Sequence, residues 1–165
     1  MIGAVIGIGP RTGTSYVMKS LHEAGFATYW EEDDHPDKGG QIGGHFECPV
    51  DRLPQLENVI VKVWPGAQDK ALIERAVILS RPVTQQLPAI AAQMARERTT
   101  GITPEEILNF CMAEGMKLRI PNVIHVTTPN IDREMGRIKS FFMEGLYHGD
   151  CSDSCRSHWG SWNRH

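Results

Sequence analysis

The fold is decided by Val5-Ile6-Gly7-Ile8-Gly9-Pro10-Arg11-Thr12-Gly13-Thr14-Ser15, where an apolar run ends in glycines and then in hydroxyl residues. Residues 1–8 are apolar and partly β-branched, which predicts a buried parallel strand. Gly9 and Gly13 let the backbone turn tightly and approach an anion, and Thr14 and Ser15 offer N–H and O–H donors in the first turn of a helix. Arg11 adds a guanidinium to the same loop. The stretch therefore predicts a strand, a phosphate-binding loop and a helix.

The spacing of this loop departs from the patterns of two well-known phosphate loops. The Walker A pattern needs a glycine five residues before Gly13 and a lysine after it, but Ile8 and Thr14 occupy those positions, which disfavours an NTPase. The dinucleotide-binding fingerprint needs a glycine at Thr12, so this loop is a looser variant of it, with Glu31 as a candidate ribose ligand. A dinucleotide-binding enzyme and a strand-to-helix turn without a ligand remain alternatives.

The composition is that of an ordinary soluble domain. A chain of 165 residues fits one domain and buries about 70% of its unfolded surface. The net charge of −3 gives no general basic field for nucleic acid. The N-terminal apolar run lacks a positively charged region and no stretch is long enough to span a membrane, so we expect a cytoplasmic protein that binds neither membranes nor nucleic acid. Scattered cysteines in a chain of this size favour reduced thiols.

Hydrophobic periodicity predicts an alternation of strands and helices. The expected strands are 1–8, 26–30, 58–64, 76–79 and 122–127. A helix after the loop should end at Gly25, a second should begin with Thr84 as its N-cap, a third should run from a capping box at Thr103 to about Glu114, and a fourth should be capped by Asp132. This order predicts an α/β three-layer sandwich with a mainly parallel central sheet over residues 1–146.

Two segments lack such periodicity. Residues 35–44 carry four glycines and little that is apolar, which is typical of a binding loop. Residues 147–165 are predicted to form an irregular C-terminal extension. This extension contains His148, Cys151, Cys155 and His158, but their spacing matches the usual zinc knuckle poorly, so we predict no metal site.

Residues 1–146 resemble a small sulfotransferase of the bacterial and phage type, a family with a P-loop nucleotide-binding fold. Pro10-Arg11-Thr12-Gly13-Thr14-Ser15 resembles the P-R-S-G-T-S loop of that family. Gly44-His45-Phe46-Glu47-Cys48-Pro49-Val50 resembles its G-Y-Y-E segment. Val61-Lys62-Val63 precedes a proline-containing turn, and the strand Val77-Ile78-Leu79 leads to Arg81, as in the family pattern.

The resemblance implies a donor, an acceptor and a set of site residues. The donor would be 3′-phosphoadenosine 5′-phosphosulfate (PAPS), the product 3′,5′-ADP (PAP), and the acceptor a hydroxyl or amine of a small molecule or glycan, with no metal. The donor's 5′-phosphosulfate would be held by Arg11, Thr12, Gly13, Thr14 and Ser15. Arg81 would bind the 3′-phosphate, Lys62 would neutralise the leaving oxygen, and Glu47 or His45 would take the acceptor's proton.

The sequence departs from the family pattern at two points. Ala89 stands where the family has a serine, eight residues after Arg81, that contacts the same 3′-phosphate. The chain also lacks the long C-terminal portion of larger sulfotransferases. Two alternatives therefore stay open: a nucleotide-binding enzyme of another class, such as a nucleotide kinase or an NAD-dependent enzyme, and a non-catalytic binding protein that keeps the fold.

Overall fold

Four β-strands form one parallel sheet in the computed structural model, which describes residues 1–29, 48–66 and 72–146. They are β1 (Ile2–Gly7), β2 (Val59–Val63), β3 (Arg75–Ser80) and β4 (Asn122–Thr127). Their order across the sheet is β2-β1-β3-β4, and every neighbouring pair is parallel. Strand β1 is buried along its whole length because it has a neighbour on each side and packed layers on both faces. The predicted α/β class with a parallel sheet is therefore confirmed.

Four α-helices connect and cover these strands. They are α1 (Thr14–Glu23), α2 (Val83–Glu97), α3 (Pro104–Met116) and α4 (Ile131–Leu146), with 3-10 turns at Val50–Gln55 and Thr128–Asn130. Helix α1 ends as the sequence predicts: Gly25 has a φ of 87°, its N–H donates to His22 O at 2.9 Å, and Phe26 N–H donates to Leu21 O at 3.1 Å. This is the Schellman arrangement that a glycine after a helix favours.

The two faces of the sheet carry separate apolar clusters, because alternate residues of a strand point to opposite sides. On one face Val5 and Val77 pack with Met18 of α1 and Phe142 of α4. On the other face β1 and β2 pack against segments that lie outside the four α-helices. The residues of this second cluster include Ala4, Ile6, Val61, Leu53 and Ile120. Packing on both faces is the arrangement expected of an α/β sandwich.

The predicted strand at 26–30 is wrong within the residues that the structure describes. Thr28 forms a single parallel bridge with Ile60 of β2. Ile60 makes both flanking hydrogen bonds, donating to Ala27 O and accepting from Tyr29 N–H, each at 2.8 Å. Because only one residue of β2 takes part, no ladder forms, and this segment is a short attachment at the sheet edge.

Helix α2 also differs from the prediction. It begins at Val83 after Pro82, so Thr84 is not its N-cap, and Pro88 lies in its second turn. The hydrogen bond that Pro88 cannot make would have gone to Thr84 O, and Thr84 is exposed, so water can replace it. The face that α2 buries contains Gln86 and Ile90, whereas Val83 is 48% exposed.

The other helix ends need two corrections. Helix α3 has the predicted capping box at Thr103 but continues past Gly115 to Met116. Gly115 suits this helix because a Cβ there would lie 2.5 Å from Ile8 Cδ1, so the bare backbone lets α3 approach the end of β1. Helix α4 begins at Ile131, which places Asp132 in its first turn and not at the cap. Among the helices in the described ranges, none combines the length and apolarity required to cross a membrane.

Candidate functional site

A pocket of about 560 Å³ opens at the carboxyl ends of β1, β2 and β3. Strands β2 and β3 lie on opposite sides of β1, so the loops that follow them flank the loop that follows β1. Such a point in a parallel sheet is where ligands bind in open α/β folds. The pocket is lined by Gly7, Gly9, Pro10, Arg11, Gly13, Thr14, Ser15, Tyr16, Lys62, Val63, Trp64, Pro65, Arg81, Gln93 and Thr128.

The floor of the pocket is the glycine-rich loop, residues 8–13, and the first turn of α1. Gly9, Arg11 and Gly13 have φ values of 87°, 64° and 89°, so three of six loop residues adopt the left-handed conformation. Gly13 is the N-cap of α1, and no side chain caps this helix end. The N–H groups of the first turn therefore face the pocket without intrahelical partners, at the positive end of the helix dipole. This geometry suits an anion.

Gln86 of α2 holds the underside of the loop. Its side chain is 1% exposed, and its Nε2 donates to Ile8 O at 2.8 Å and to Pro10 O at 3.0 Å. A Cβ at Gly9 would lie 2.6 Å from the same nitrogen, so a side chain at that position would displace the amide. Our sequence reasoning missed Gln86. The sequence pattern that could have indicated it is a polar residue one turn before Ile90, on the buried face of a helix.

Two threonines hold the far side of the loop. Thr12 is 1% exposed and its Oγ1 donates to Gly9 O at 3.3 Å, so this predicted ligand residue turns its hydroxyl into the loop. Thr128, between β4 and α4, places its Oγ1 2.7 Å from Thr12 O and 2.9 Å from Ser80 O. Its single hydroxyl hydrogen is shared between these two carbonyls. Thr128 joins the loop to the ends of β3 and β4.

The structure brings the predicted basic residues together around this loop. Lys62 Nζ donates to Ser15 Oγ at 3.3 Å, which places the lysine beside the N-terminus of α1. Arg81 donates from a terminal nitrogen to Arg11 O at 3.3 Å. Its Nε is buried and has no hydrogen-bond partner in the described part of the chain. With Arg11, three cations line the pocket, and its described lining contains no carboxylate. The pocket therefore has a positive potential that favours an anionic ligand.

Tyr16 is a pocket residue that the sequence did not point to. It lies in the first turn of α1, and its phenol donates to Asp132 Oδ1 of α4 at 2.6 Å. The hydrogen bond to Asp132, with the charge of that carboxylate, raises the pKa of Tyr16. The phenol therefore stays protonated at neutral pH and ties α1 to α4 beside the pocket.

Three residues that the sequence analysis singled out, Glu47, His45 and Ala89, are not among the described residues that line the pocket. Glu47 and His45, the candidate bases, lie outside the described residues. Ala89 is half-buried on α2, and the polar side chain that α2 gives to the pocket is Gln93, one turn further along. Gln93 donates from Nε2 to Glu97 Oε1 at 2.8 Å. Residues 1–29, 48–66 and 72–146 contain no group of three His, Cys, Asp or Glu side chains placed to hold a metal.

No protein-family model, curated protein or solved structure matches this chain. The ligand must therefore be inferred from the chemistry of the pocket. Helix N–H groups, the hydroxyls of Thr14 and Ser15, and three cations surround one cavity large enough for a nucleotide. These groups can hold a phosphate or sulfate ester and stabilise negative charge that develops on one of its oxygens.

Proposed function

We propose that the protein is a sulfotransferase with a P-loop type of nucleotide site, which transfers the sulfuryl group of PAPS to a hydroxyl or amine acceptor. The observation that carries the proposal is the placement of Arg81. Its guanidinium lines the pocket beside a glycine-rich loop at the carboxyl edge of a parallel sheet, and one of its terminal nitrogens donates to Arg11 O at 3.3 Å. A guanidinium in this position can donate further hydrogen bonds to a phosphate group.

The donor's 5′-phosphosulfate fits the floor of the pocket. The N–H groups of Thr14 and Ser15 and the hydroxyl of Ser15 would donate to its oxygens, and Arg11 would add a guanidinium. Arg81, on the β3 side of the loop, would bind the 3′-phosphate of the same nucleotide. The nucleotide would then lie along the crevice between β1 and β3, with the sulfuryl group toward β2.

Lys62 is the candidate partner of the leaving oxygen. Its ammonium contacts Ser15 at the N-terminus of α1, so it would lie on the β2 side of a bound sulfuryl group. In the reaction an acceptor oxygen or nitrogen bonds to sulfur while the bond from sulfur to the bridging oxygen breaks, and the electron pair goes to 3′,5′-ADP. Lys62 would stabilise this developing charge. Glu47 or His45 would take the acceptor's proton.

The proposal predicts that nucleotide binding needs no magnesium. Three side-chain cations supply the positive charge that Mg²⁺ supplies to nucleoside triphosphates, and Thr14 stands where the Walker lysine would be. Calorimetric titration with 3′,5′-ADP should therefore give the same affinity in excess EDTA as in MgCl₂. Titration with ATP in the same two buffers is the control. A strict requirement for Mg²⁺ would contradict the proposal and favour an NTPase.

Ala89 favours a second candidate, a non-catalytic nucleotide-binding protein that keeps this fold. The side chain at this position cannot donate a hydrogen bond to the second phosphate. Incubation with PAPS labelled in its sulfuryl group and a mixture of phenols, amines and glycans separates the two functions. Labelled product that disappears in Lys62→Ala indicates the enzyme. Tight 3′,5′-ADP binding without labelled product from any acceptor indicates the binding protein.

A further inference from the structure

Three consecutive carbonyl groups of the glycine-rich loop accept hydrogen bonds from three different elements. Pro10 O accepts from Gln86 of α2 at 3.0 Å, and Arg11 O accepts from Arg81 after β3 at 3.3 Å. Thr12 O accepts from Thr128, after β4, at 2.7 Å. Helices and strands do not include these residues, so no regular secondary structure fixes the direction of their peptide groups.

The direction of a carbonyl group fixes the direction of the next N–H. In a trans peptide the C=O and the N–H of the following residue point to opposite sides, and the described residues contain no cis peptide bond. The N–H of Arg11 therefore points away from Gln86, and the N–H of Gly13 points away from Thr128. Neither N–H donates to a backbone carbonyl in the described part of the chain, and both residues line the pocket.

These two amides have the geometry of an anion-binding nest. Arg11 and Gly13 have φ values of 64° and 89°, and the first turn of α1 follows directly. Alternation of left- and right-handed residues turns backbone N–H groups toward a common centre. If either carbonyl were released, its peptide could rotate and place an oxygen where the anion should bind.

We infer that Gln86 and Thr128 are positioning residues for this nest: by holding Pro10 O and Thr12 O, they aim the N–H groups of Arg11 and Gly13 at a phosphate or sulfate ester. The inference rests on the proposed function of the pocket and names the backbone atoms that bind the anion. Gln86 is buried and uses its amide nitrogen on two carbonyls, and the hydrogen of Thr128 is engaged by two carbonyls. Both side chains therefore act on the ligand through the backbone.

Thr128 offers a matched pair of variants. Thr128→Val keeps the shape and removes the hydroxyl, whereas Thr128→Ser keeps the hydroxyl. We expect Thr128→Val to weaken 3′,5′-ADP binding about 10-fold in calorimetric titration, the effect of losing one aligned hydrogen bond. Thr128→Ser should stay within about 3-fold of the wild type. The comparison is made at a temperature at which circular dichroism shows all proteins folded.

Amide NMR spectra separate positioning from direct contact with the ligand. In the wild type, inorganic phosphate should shift the Arg11 and Gly13 amide resonances. In Thr128→Val, the Gly13 resonance should already differ before any ligand is added, and its phosphate-induced shift should shrink. Gln86→Met should do the same to the Arg11 resonance. If Thr128→Val does not fold, Gln86→Met provides the test by the same measurements.

Failure of this inference and failure of the proposed function give different results. Unchanged affinity and unchanged Arg11 and Gly13 resonances in both variants would overturn the positioning role while leaving the nucleotide site intact. Absence of 3′,5′-ADP binding to the wild type would instead overturn the proposed function. Weakened binding with an undisturbed ligand-free spectrum would show that these side chains contact the ligand directly, which also contradicts the inference.

Discussion

Gly7 shows how little room the site leaves at the end of β1. A Cβ there would overlap Thr12 Oγ1 and lie 3.0 Å from Thr14 Cγ2. Both neighbours belong to the loop and to the first turn of α1, so a side chain at Gly7 would push the loop out of place. We expect Gly7→Ala to lower the free energy of unfolding by about 1–3 kcal/mol, the usual effect of overpacking. Urea denaturation followed by circular dichroism measures it.

The control for this change is Gly136, an exposed residue in α4. A Cβ at Gly136 would meet nothing within 4 Å among the described residues. Gly136→Ala should therefore raise the free energy of unfolding by up to about 1 kcal/mol, because alanine favours a helix interior. Equal stability of Gly7→Ala and the wild type would show that the loop adjusts freely and would weaken the view that it is rigid.

A pair of ligands can separate the proposed role of Arg81 from its contact with the loop. Its guanidinium lines the pocket, where we propose that it binds a 3′-phosphate, and one terminal nitrogen donates to Arg11 O. We expect Arg81→Ala to weaken 3′,5′-ADP binding about 10- to 100-fold, since a charged hydrogen bond contributes about 1.5–3 kcal/mol. Binding of 5′-AMP, which lacks the 3′-phosphate, should weaken only a few-fold through the loop contact. Calorimetric titration with both ligands tests this, and equal losses would assign Arg81 to the loop alone.

The capping box of α3 is expected to make the stability of the protein depend on pH. Thr103 caps the helix, and a hydrogen bond from its backbone N–H, with a second from its hydroxyl, lowers the pKa of Glu106 below the ordinary value of 4.5. A carboxyl whose pKa is lower in the folded state stabilises the fold above the ordinary value. This stabilisation is lost as the pH falls through the lower, folded-state value.

Glu106→Gln should therefore be less stable than the wild type at pH 7, and the difference should shrink as the pH is lowered from 5 to 3. Glu105→Gln is the control because Glu105 lies in the same turn but outside the capping box. Urea midpoints at several pH values measure the effect. A wild-type advantage that stays constant over this range would show that the charge of Glu106 has no part in the cap.

Most helices and strands could be predicted from local sequence. Where the structure differs from the prediction, the reason lies in the residues nearby. The capping box of α3 and the glycine stop of α1 involve residues a few positions apart, so the sequence shows them directly. The segment at 26–30 has the composition of a strand, yet its bridge is with Ile60 alone, and the next carbonyl along that edge of β2, Lys62 O, accepts from Cys48 N–H at 2.9 Å. Pro88 was expected within the first turn of a helix, but α2 begins one residue before the predicted N-cap, and so Pro88 lies in its second turn.

At the scale of the whole molecule, a bound nucleotide would join the ends of β1, β2 and β3. A ligand that binds only the folded protein stabilises it by about 2.7 kcal/mol at 100 times its Kd. We therefore expect 3′,5′-ADP to raise the melting temperature more than 5′-AMP, ATP or NAD at equal concentrations. Differential scanning fluorimetry provides the comparison. The largest shift with NAD would favour the dinucleotide-binding alternative, and no shift with any of the four would contradict a nucleotide site.

Several features could be predicted before folding is considered: the strand, loop and helix of residues 1–23, the strands β2 to β4, and the identity of the basic residues beside the loop. These features depend on periodicity, glycine and capping, which act over a few neighbouring residues. The domain limit at residue 146, the roles of Glu47 and His45, and the identity of the ligand stay predictions.

Which groups meet at the pocket depends on contacts between residues that are far apart in the sequence. Lys62 contacts Ser15 across 47 residues of sequence, and Arg81 contacts Arg11 across 70. The strand order β2-β1-β3-β4 creates these contacts, because it places the ends of β2 and β3 on either side of β1. For the same reason, the sequence did not indicate Gln86 and Thr128. A glutamine on a helix and a threonine in a turn contact Pro10 O and Thr12 O only after the chain has folded.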